Sequence, residues 1–224
     1  LSFNGCLDKA LQMIDVPGFR ETQTALGQQG IYRGIGIATF VELTAIGPEY
    51  YGEGGQHISA QETCLLRLEA SGTVRCYTGA TDQGQGIDTG IQQVVADALG
   101  GALADIEVIS GDSALCPVGG GSWGSRGAAL GGEAALRAAT TLKRNILNIA
   151  ASLLQKDPSD LSIDQGVVVD GRSGAAHMAV SEIARIGHFQ PYSIPEGINA
   201  DLTVPERYAS RGRLFLAGNG LQIA

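Results

Sequence analysis

The chain has 224 residues, of which 44% are hydrophobic, enough to bury a real core and to exclude a disordered chain. Its 15 basic and 23 acidic residues give a net charge of −8, the wrong sign for a nucleic-acid or anionic-membrane partner. No apolar run approaches the ~18 residues that span a bilayer, and no signal-peptide pattern is visible, so we expect a cytoplasmic protein without a membrane span.

Two short helices are predicted over residues 1–30, the first with an apolar face and the second opening after Pro17-Gly18. The apolar positions of the first helix are Leu7, Ala10, Leu11 and Ile14. Apolar residues then alternate along residues 31–43, which predicts a long strand. Glu42 falls on the opposite face of this strand and is interpreted as a solvated carboxylate.

A glycine-rich loop over residues 79–86 follows a predicted hairpin, whose strands cover residues 62–70 and 73–78 and are joined by Ser71-Gly72. After Gly86, apolar residues at helical spacing predict a helix that stops at Gly100-Gly101. These positions are Ile87, Ile91, Val94, Val95, Ala98 and Leu99. A strand is expected next, over residues 106–109.

A second glycine-rich loop, residues 119–127, precedes a long helix predicted over residues 128–156 and ended by Asp157-Pro158. Residues 161–169 are predicted to form a small hairpin and residues 180–186 a short helix. The rest is expected to be a Pro-punctuated connection ending at residues 213–216, with an apolar strand opening at residues 221–224. The predicted fold class is α+β, with a mixed sheet and packed helices.

Three segments are expected: a helical lead-in over residues 1–30, a core carrying both loops over residues 31–157, and a final part over residues 158–224. The chain starts at Leu1 without Met and stops in what resembles an apolar strand. Neither end resembles a polar terminus, so we expect a piece of a longer polypeptide whose true N-terminus is missing and whose final part continues into a missing C-terminal portion.

Both glycine loops are candidates for anion binding, because each precedes a helix whose first N–H groups point outward at the positive end of the dipole. Residues 84–89 nearly satisfy Gly-x-Gly-x-x-Gly, with Thr89 in place of the third glycine, so a dinucleotide-binding module of Rossmann type stays open. Neither loop contains Gly-Lys-Ser/Thr, which disfavours a P-loop nucleotidase. A purely structural role for the glycines, as tight turns at helix starts, is the remaining interpretation.

The four cysteines are interpreted as reduced thiols, because none forms a Cys-x-x-Cys pair. They are Cys6, Cys64, Cys76 and Cys116. We therefore expect no metal or iron–sulfur site held by protein ligands within this chain.

Five segments in order resemble the large, molybdenum-binding subunit of the xanthine oxidase family of molybdenum hydroxylases. Among the branches of that family, the Gly-Ser-Arg loop is most similar to bacterial carbon monoxide dehydrogenase-like and aldehyde or N-heterocycle dehydrogenases. The segments read Tyr-Arg-Gly-Ile-Gly-Ile-Ala, Asp-Gln-Gly-Gln-Gly, Val-Val-Ala-Asp-Ala-Leu-Gly, Ser-Gly-Asp and Gly-Ser-Arg-Gly, at residues 32–38, 82–86, 94–100, 110–112 and 124–127.

The resemblance implies a molybdopterin cofactor with molybdenum, in bacteria usually its cytosine dinucleotide form. The matching cofactor-binding positions are Gly84, Gln85, Gly86, Ser122, Trp123, Gly124, Ser125, Arg126 and Gly127. Gln85 has donor and acceptor capacity for a pterin edge, and the glycines permit close backbone approach. Arg126 could pair with pyrophosphate or be an exposed arginine, and Trp123 could be only a packing anchor.

The family's chemistry is water-derived hydroxylation of an aldehyde or N-heterocycle, with electrons leaving through iron–sulfur clusters to FAD. The resemblance therefore implies the remainder of the molybdenum-binding subunit, an iron–sulfur subunit and a flavin subunit as partners. The family's Gly-Phe-Gly-Gly loop, substrate-side arginine loop and Gly-x-Gly-Glu general base do not occur here. We accordingly predict no catalytic residue in this chain, and a scaffold that has lost the cofactor is a further alternative.

Overall fold

The computed structural model separates the chain into two compact units, residues 1–44 with 215–224 and residues 45–214. The structure describes residues 2–45, 50, 51, 55, 57–116, 118–211 and 216–224. Within the end of the predicted connection, residues 213–216, only Leu216 is among them. The division into three segments made from the sequence stays a prediction.

The first unit contains helices α1 (Phe3–Met13) and α2 (Val16–Gly27) and an antiparallel ribbon of β1 (Ile37–Thr44) and β9 (Leu216–Ile223). Asp15 caps α2 by accepting a hydrogen bond from the Gly18 N–H at 3.3 Å, so Pro17 lies inside the first helical turn. The predicted start of α2 after Pro17-Gly18 was therefore wrong, because the first turn tolerates a proline. The predicted strand over residues 31–43 begins only at Ile37, and Glu42 is exposed on it.

The second unit is built on a mixed four-stranded sheet in the order β4-β3-β2-β8. Its strands are β2 (Gln61–Leu68), β3 (Val74–Thr78), β4 (Ile106–Ser110) and β8 (Thr203–Ala209). β2 is antiparallel to β3 and β8, whereas β3 and β4 are parallel and joined by helix α3 (Ile87–Leu99). The carboxyl ends of β3 and β4, at Thr78 and Ser110, therefore lie side by side.

The core of this unit lies between the sheet and the long helix α4 (Gly132–Leu154), which packs on β2, β8 and α3. Small residues let the helix approach the strands closely, while larger ones fill the remaining space. The fully buried α4 side chains include Ala134, Ala135, Ala138, Ala139, Leu142 and Ile149. The facing positions of β2 are Cys64, Leu66 and Leu68, which are completely buried at the spacing of two that a strand dictates.

A π-helical turn (Gly127–Gly131) leads directly into α4, so the helix predicted over residues 128–156 has an irregular first turn. The helix ends at Leu154, where Gln155 adopts a left-handed conformation with φ of 55°. No helix among the described residues is long and apolar enough to cross a membrane.

A three-stranded antiparallel sheet of β5 (Leu161–Asp164), β6 (Val167–Asp170) and β7 (Ala176–Ala179) follows α4 and is succeeded by α5 (Val180–Phe189). The β5–β6 hairpin and α5 were predicted from the sequence, whereas β7 was not, and β8 was interpreted as part of a connection. β8 contains Pro205 and occupies the edge of its sheet, where a missing N–H is tolerated. Among the described residues the remaining elements are short 3₁₀ turns, Leu103–Asp105, Pro158–Asp160 and Pro191–Ser193.

Candidate functional site

Both glycine loops lie at the carboxyl edge of the parallel pair β3 and β4. The first glycine loop (residues 79–86) leaves β3, and the second (residues 119–127) follows the segment that leaves β4. A cleft of about 380 Å³ opens between their first residues. Its described lining includes Thr78, Gly79, Thr81, Asp112, Gly119 and Gly121. Ligands in α/β sheets commonly bind outside the carboxyl ends of parallel strands, so the position favours a binding site.

The two loops touch at Gly79 and Gly119. A Cβ atom on Gly79 would lie 2.9 Å from the Cα of Gly119 and 2.9 Å from Oε2 of Glu62. A Cβ atom on Gly119 would lie 3.0 Å from the Cα of Gly79 and would overlap the same carboxylate. Both positions therefore require glycine, because any side chain would push the loops apart.

The first glycine loop is ordered by its own polar side chains. Asp82 accepts hydrogen bonds from the N–H groups of Gly84 at 2.7 Å and Asp88 at 3.3 Å, and these N–H groups lower the pKa of its carboxyl. The Gln85 amide accepts from the Gln83 N–H at 2.5 Å and donates to the Thr81 carbonyl at 3.0 Å. The loop thus has a defined shape before any ligand binds.

Open space lies beside the glycines of this loop. Gly84 and Gly86 have φ values of 99° and 75°, and a Cβ atom on either would meet nothing within 4 Å. No described part of the chain fills this space, so a ligand can approach the backbone here. The predicted residues Gly84, Gln85 and Gly86 lie beyond the 380 Å³ cleft, whose described lining ends at Thr81 in this loop.

The second glycine loop is anchored through Trp123. The indole N–H donates to the Gly120 carbonyl at 3.1 Å, and the ring lies 6.1 Å from Tyr50 and 5.8 Å from Tyr51, measured between centroids. Trp123 therefore does pack against aromatic neighbours, and its contact with a cofactor stays a prediction.

Several positions of the second loop adopt conformations that suit a ligand cradle. Gly121 and Gly124 have φ values of 72° and 55°, and Ser125 is left-handed as well, with φ of 52°. The Ser122 hydroxyl is buried and has no hydrogen-bond partner among the described residues, which leaves it available to a bound group. Gly127 instead packs on Ile87, since a Cβ atom there would lie 3.1 Å from its Cδ1.

Arg126 is completely buried, so the alternative of an exposed arginine was wrong. Its guanidinium donates to Glu62 Oε1 at 2.5 Å, to the Gly121 carbonyl at 3.0 Å and to the carbonyls of Ser59 and Gln61 at 3.1 and 3.3 Å. These contacts lie within the chain and shape the second loop. A direct bond from Arg126 to a cofactor stays a prediction.

Glu62 is the partner that sequence reasoning missed. It is fully buried and also accepts from the Gly120 N–H at 2.6 Å. Burial raises the pKa of its carboxyl, while Arg126 and the Gly120 N–H oppose that shift. The sequence did indicate that Glu62 is buried, because it falls at the same alternate positions of β2 as Cys64 and Leu66. A carboxylate on a buried face needs a partner.

One further hydrogen bond joins the loops. The Gln83 side chain donates to the Ser122 carbonyl at 3.0 Å, across 39 positions of sequence. The loops are thus connected at their bases by Glu62 and farther out by Gln83. Together they place open space beside Gly84 and Gly86 near a buried Ser122 hydroxyl that has no partner among the described residues, which fits an extended anionic ligand.

This combination of fold and loops is that of a molybdenum-cofactor domain. The chain belongs to the molybdopterin cofactor-binding domain family, whose model matches residues 9–215. The resemblance to molybdenum-binding large subunits of the xanthine oxidase family is thereby confirmed, and so is the predicted α+β fold class.

Relatives of known name agree with this membership. The nicotine 6-hydroxylase large subunit of Paenarthrobacter nicotinovorans is 26% identical over 217 residues, covering 97% of this chain and 27% of the relative. The carbon monoxide dehydrogenase large chain of Hydrogenophaga pseudoflava is 30% identical over 215 residues, covering 92% of this chain and 26% of the relative. The chain therefore spans about a quarter of the length of these relatives.

Solved structures share the fold. Quinoline 2-oxidoreductase from Pseudomonas putida 86 superposes with a TM-score of 0.79 at 24% identity, over 99% of this chain and 28% of the other. A Cu,Mo-CO dehydrogenase superposes with a TM-score of 0.75 at 25% identity, over 100% of this chain and 28% of the other. The mixed sheet with packed helices is thus that of molybdenum-cofactor-binding domains.

Proposed function

We propose that this chain is the cofactor-holding part of a molybdenum hydroxylase large subunit and binds molybdopterin in its cytosine dinucleotide form. The observation that carries the proposal is the meeting of two glycine loops at the carboxyl edge of β3 and β4 in a member of this family. Loops that touch through glycine and share a hydrogen bond can hold one long ligand at two points.

The residues of the first loop would hold the pterin end of the cofactor. Gln85 offers a carboxamide that already donates and accepts within the loop, and small rotations would present the same groups to a pterin edge. The open space beside Gly84 and Gly86 leaves room for that edge against the backbone.

The residues of the second loop, 122–127, would hold the phosphate portion. Ser122 contributes a buried hydroxyl without a partner among the described residues. Gly124 and Ser125 hold left-handed conformations with φ values of 55° and 52°, which bend the backbone sharply at the position proposed for the phosphates. When bound, the cofactor supplies the molybdenum centre for water-derived hydroxylation of an aldehyde or N-heterocycle.

Further subunits would complete the enzyme. Among the described residues no cluster of His, Cys, Asp or Glu could hold a metal ion, and the four cysteines are free thiols. Electron transfer to an acceptor would then depend on iron–sulfur and flavin partners, and substrate recognition on the remainder of the molybdenum-binding subunit.

Metal and pterin analysis of the purified native assembly tests the proposal. Molybdenum with a cytosine nucleotide, in about one equivalent per chain, is the expected result. Bound NAD or FAD on this subunit would instead support the Rossmann-type alternative. A folded native assembly with neither would support a scaffold that has lost its cofactor and would overturn the proposal.

A further inference from the structure

The buried pair Glu62 and Arg126 lies where both glycine loops begin. Glu62 is on β2, outside both loops, yet its carboxylate contacts the loop bases at Gly79, Gly119 and Gly120. Arg126 lies near the end of the second loop and reaches back to Gly121 and to the chain that enters β2. Arg126, near the end of the second loop, thus bonds to Gly121, near its start.

Space around the pair is fully used. A Cβ atom on Gly120 would overlap the Arg126 guanidinium, and one on Gly119 would overlap the Glu62 carboxylate. Two charged groups therefore lie directly against residues 119 and 120, in addition to the hydrogen bond from Trp123 to Gly120. Removing either charge alone would leave the other buried without its partner, which is strongly destabilising.

We propose that Glu62 and Arg126 are a positioning pair, which holds the second glycine loop in its ligand-binding path before the cofactor arrives. This inference rests on the proposed function, and it gives Arg126 an indirect role in place of the predicted bond to pyrophosphate. Preorganisation raises affinity because the cost of ordering a loop is met before the ligand binds. Loss of the pair should then weaken cofactor retention more than it weakens the fold.

Three variants separate these effects. Glu62→Leu and Arg126→Met each leave one buried charge without its partner, which strongly destabilises a fold. The double variant Glu62→Leu/Arg126→Met removes both charges, and such replacements are often neutral for stability. We expect the double variant to regain much of the melting temperature that the single variants lose, without regaining cofactor.

Leu66→Ala is the matched control. Leu66 is fully buried on the same strand as Glu62, and its truncation lowers the melting temperature by creating a cavity in the core. The proposal requires the double variant to release molybdopterin about tenfold faster than Leu66→Ala at equal melting temperature, the effect of roughly one lost preorganised interaction. Equal release rates would overturn the positioning role.

Hydrogen exchange in the wild-type protein without cofactor gives a test that depends on no variant. The Gly120 N–H, which donates to Glu62, should exchange slowly, whereas rapid exchange at Gly120 would contradict the proposal. A wild-type native assembly without molybdopterin would refute the proposed function, whatever the Gly120 rate. A loaded wild type with equal retention in the double variant would refute only the positioning role.

Discussion

Gln83 and Ser122 join the two glycine loops through a hydrogen bond of 3.0 Å from the glutamine side chain to the serine carbonyl. Gln83 is exposed, so the bond adds little to the stability of the fold, about 0.5–1.5 kcal/mol. We expect Gln83→Ala to speed cofactor release clearly while changing the melting temperature only slightly. The measurements are the rate of cofactor release from purified, loaded protein and the melting temperature of the same protein.

A matched control for this variant is Gln92→Ala. Like Gln83, Gln92 donates from its side chain to backbone carbonyls, in this case those of Leu103 and Ile106. It lies on α3, away from the loops. Its removal should leave retention unchanged. Equal retention in both variants would show that the Gln83 bond has no bearing on the cofactor.

Gln85→Ala should lower turnover of the complete enzyme much more than it lowers stability. Among the described residues, the Gln85 amide bonds to loop atoms of Gln83 and Thr81, both in exposed hydrogen bonds, so the fold should lose little. A hydrogen bond lost beside a reacting centre costs on the order of 2–4 kcal/mol of transition-state stabilisation. Gln85→Glu, which still accepts from Gln83 but cannot donate to Thr81, should be intermediate. Wild-type turnover in fully loaded Gln85→Ala would refute the assignment.

Gly124→Val should block cofactor loading. Gly124 has φ of 55°, a conformation that a β-branched residue resists, and the side chain would occupy the proposed ligand space. Molybdenum content per folded chain is the measurement. Gly90→Ala serves as the control, because Gly90 lies in α3 with nothing within 4 Å of an added Cβ, and its loading should equal that of the wild type. Full molybdenum content in folded Gly124→Val would make the second loop structural only.

Acid should remove one specific contribution to stability, that of Asp170 in the turn between β6 and β7. Its carboxylate accepts from the N–H groups of Arg172 and Ser173 and from the Ser173 hydroxyl, and its pKa is lowered to about 2. Because the folded pKa lies below the unfolded value of about 3.9, the contribution is complete above that value and is lost toward pH 2. The melting-temperature advantage of the wild type over Asp170→Asn should shrink across that window. An advantage independent of pH from 6 to 2 would contradict the prediction.

The isolated chain should hydroxylate nothing, even when supplied with cofactor. A general base must have a carboxylate free to take a proton. Around the loops, Glu62 pairs with Arg126, and Asp112 accepts from the Ala114 N–H at 2.8 Å. Asp82 is held by backbone N–H groups, and Glu133 pairs with Arg137 at 2.9 Å. The assay uses a panel of aldehydes and N-heterocycles with an artificial electron acceptor. Sustained turnover would show that the catalytic base lies within these residues.

Local periodicity was sufficient to predict the elements that position the site. β2 follows from alternation and α3 from helical spacing, because each buries one face and leaves the other more exposed. β7 and β8 were missed for physical reasons: β7 has only four residues, and the pairing of β8 with β2 overrides the unfavourable Pro205.

The interior of the site was harder to predict than its loops. The glycine loops are visible in the sequence, but their bases contact an ion pair between Glu62 and Arg126, which are 64 positions apart. Such a pair becomes evident only when the order of the strands is known. The nine predicted cofactor positions remain predictions, and the structure adds Glu62 and Gln83 as residues that support them.

The π-helical turn at Gly127–Gly131 gives the chain a place where its length can change. A π turn holds one residue more than an α turn, so a single deletion there can be absorbed by conversion to regular helix. The same deletion in the middle of α4 would rotate all later side chains by about 100° and bring polar residues into the core. A single deletion between the second loop and α4 should therefore leave the buried face of the helix undisturbed, although it lies next to the site.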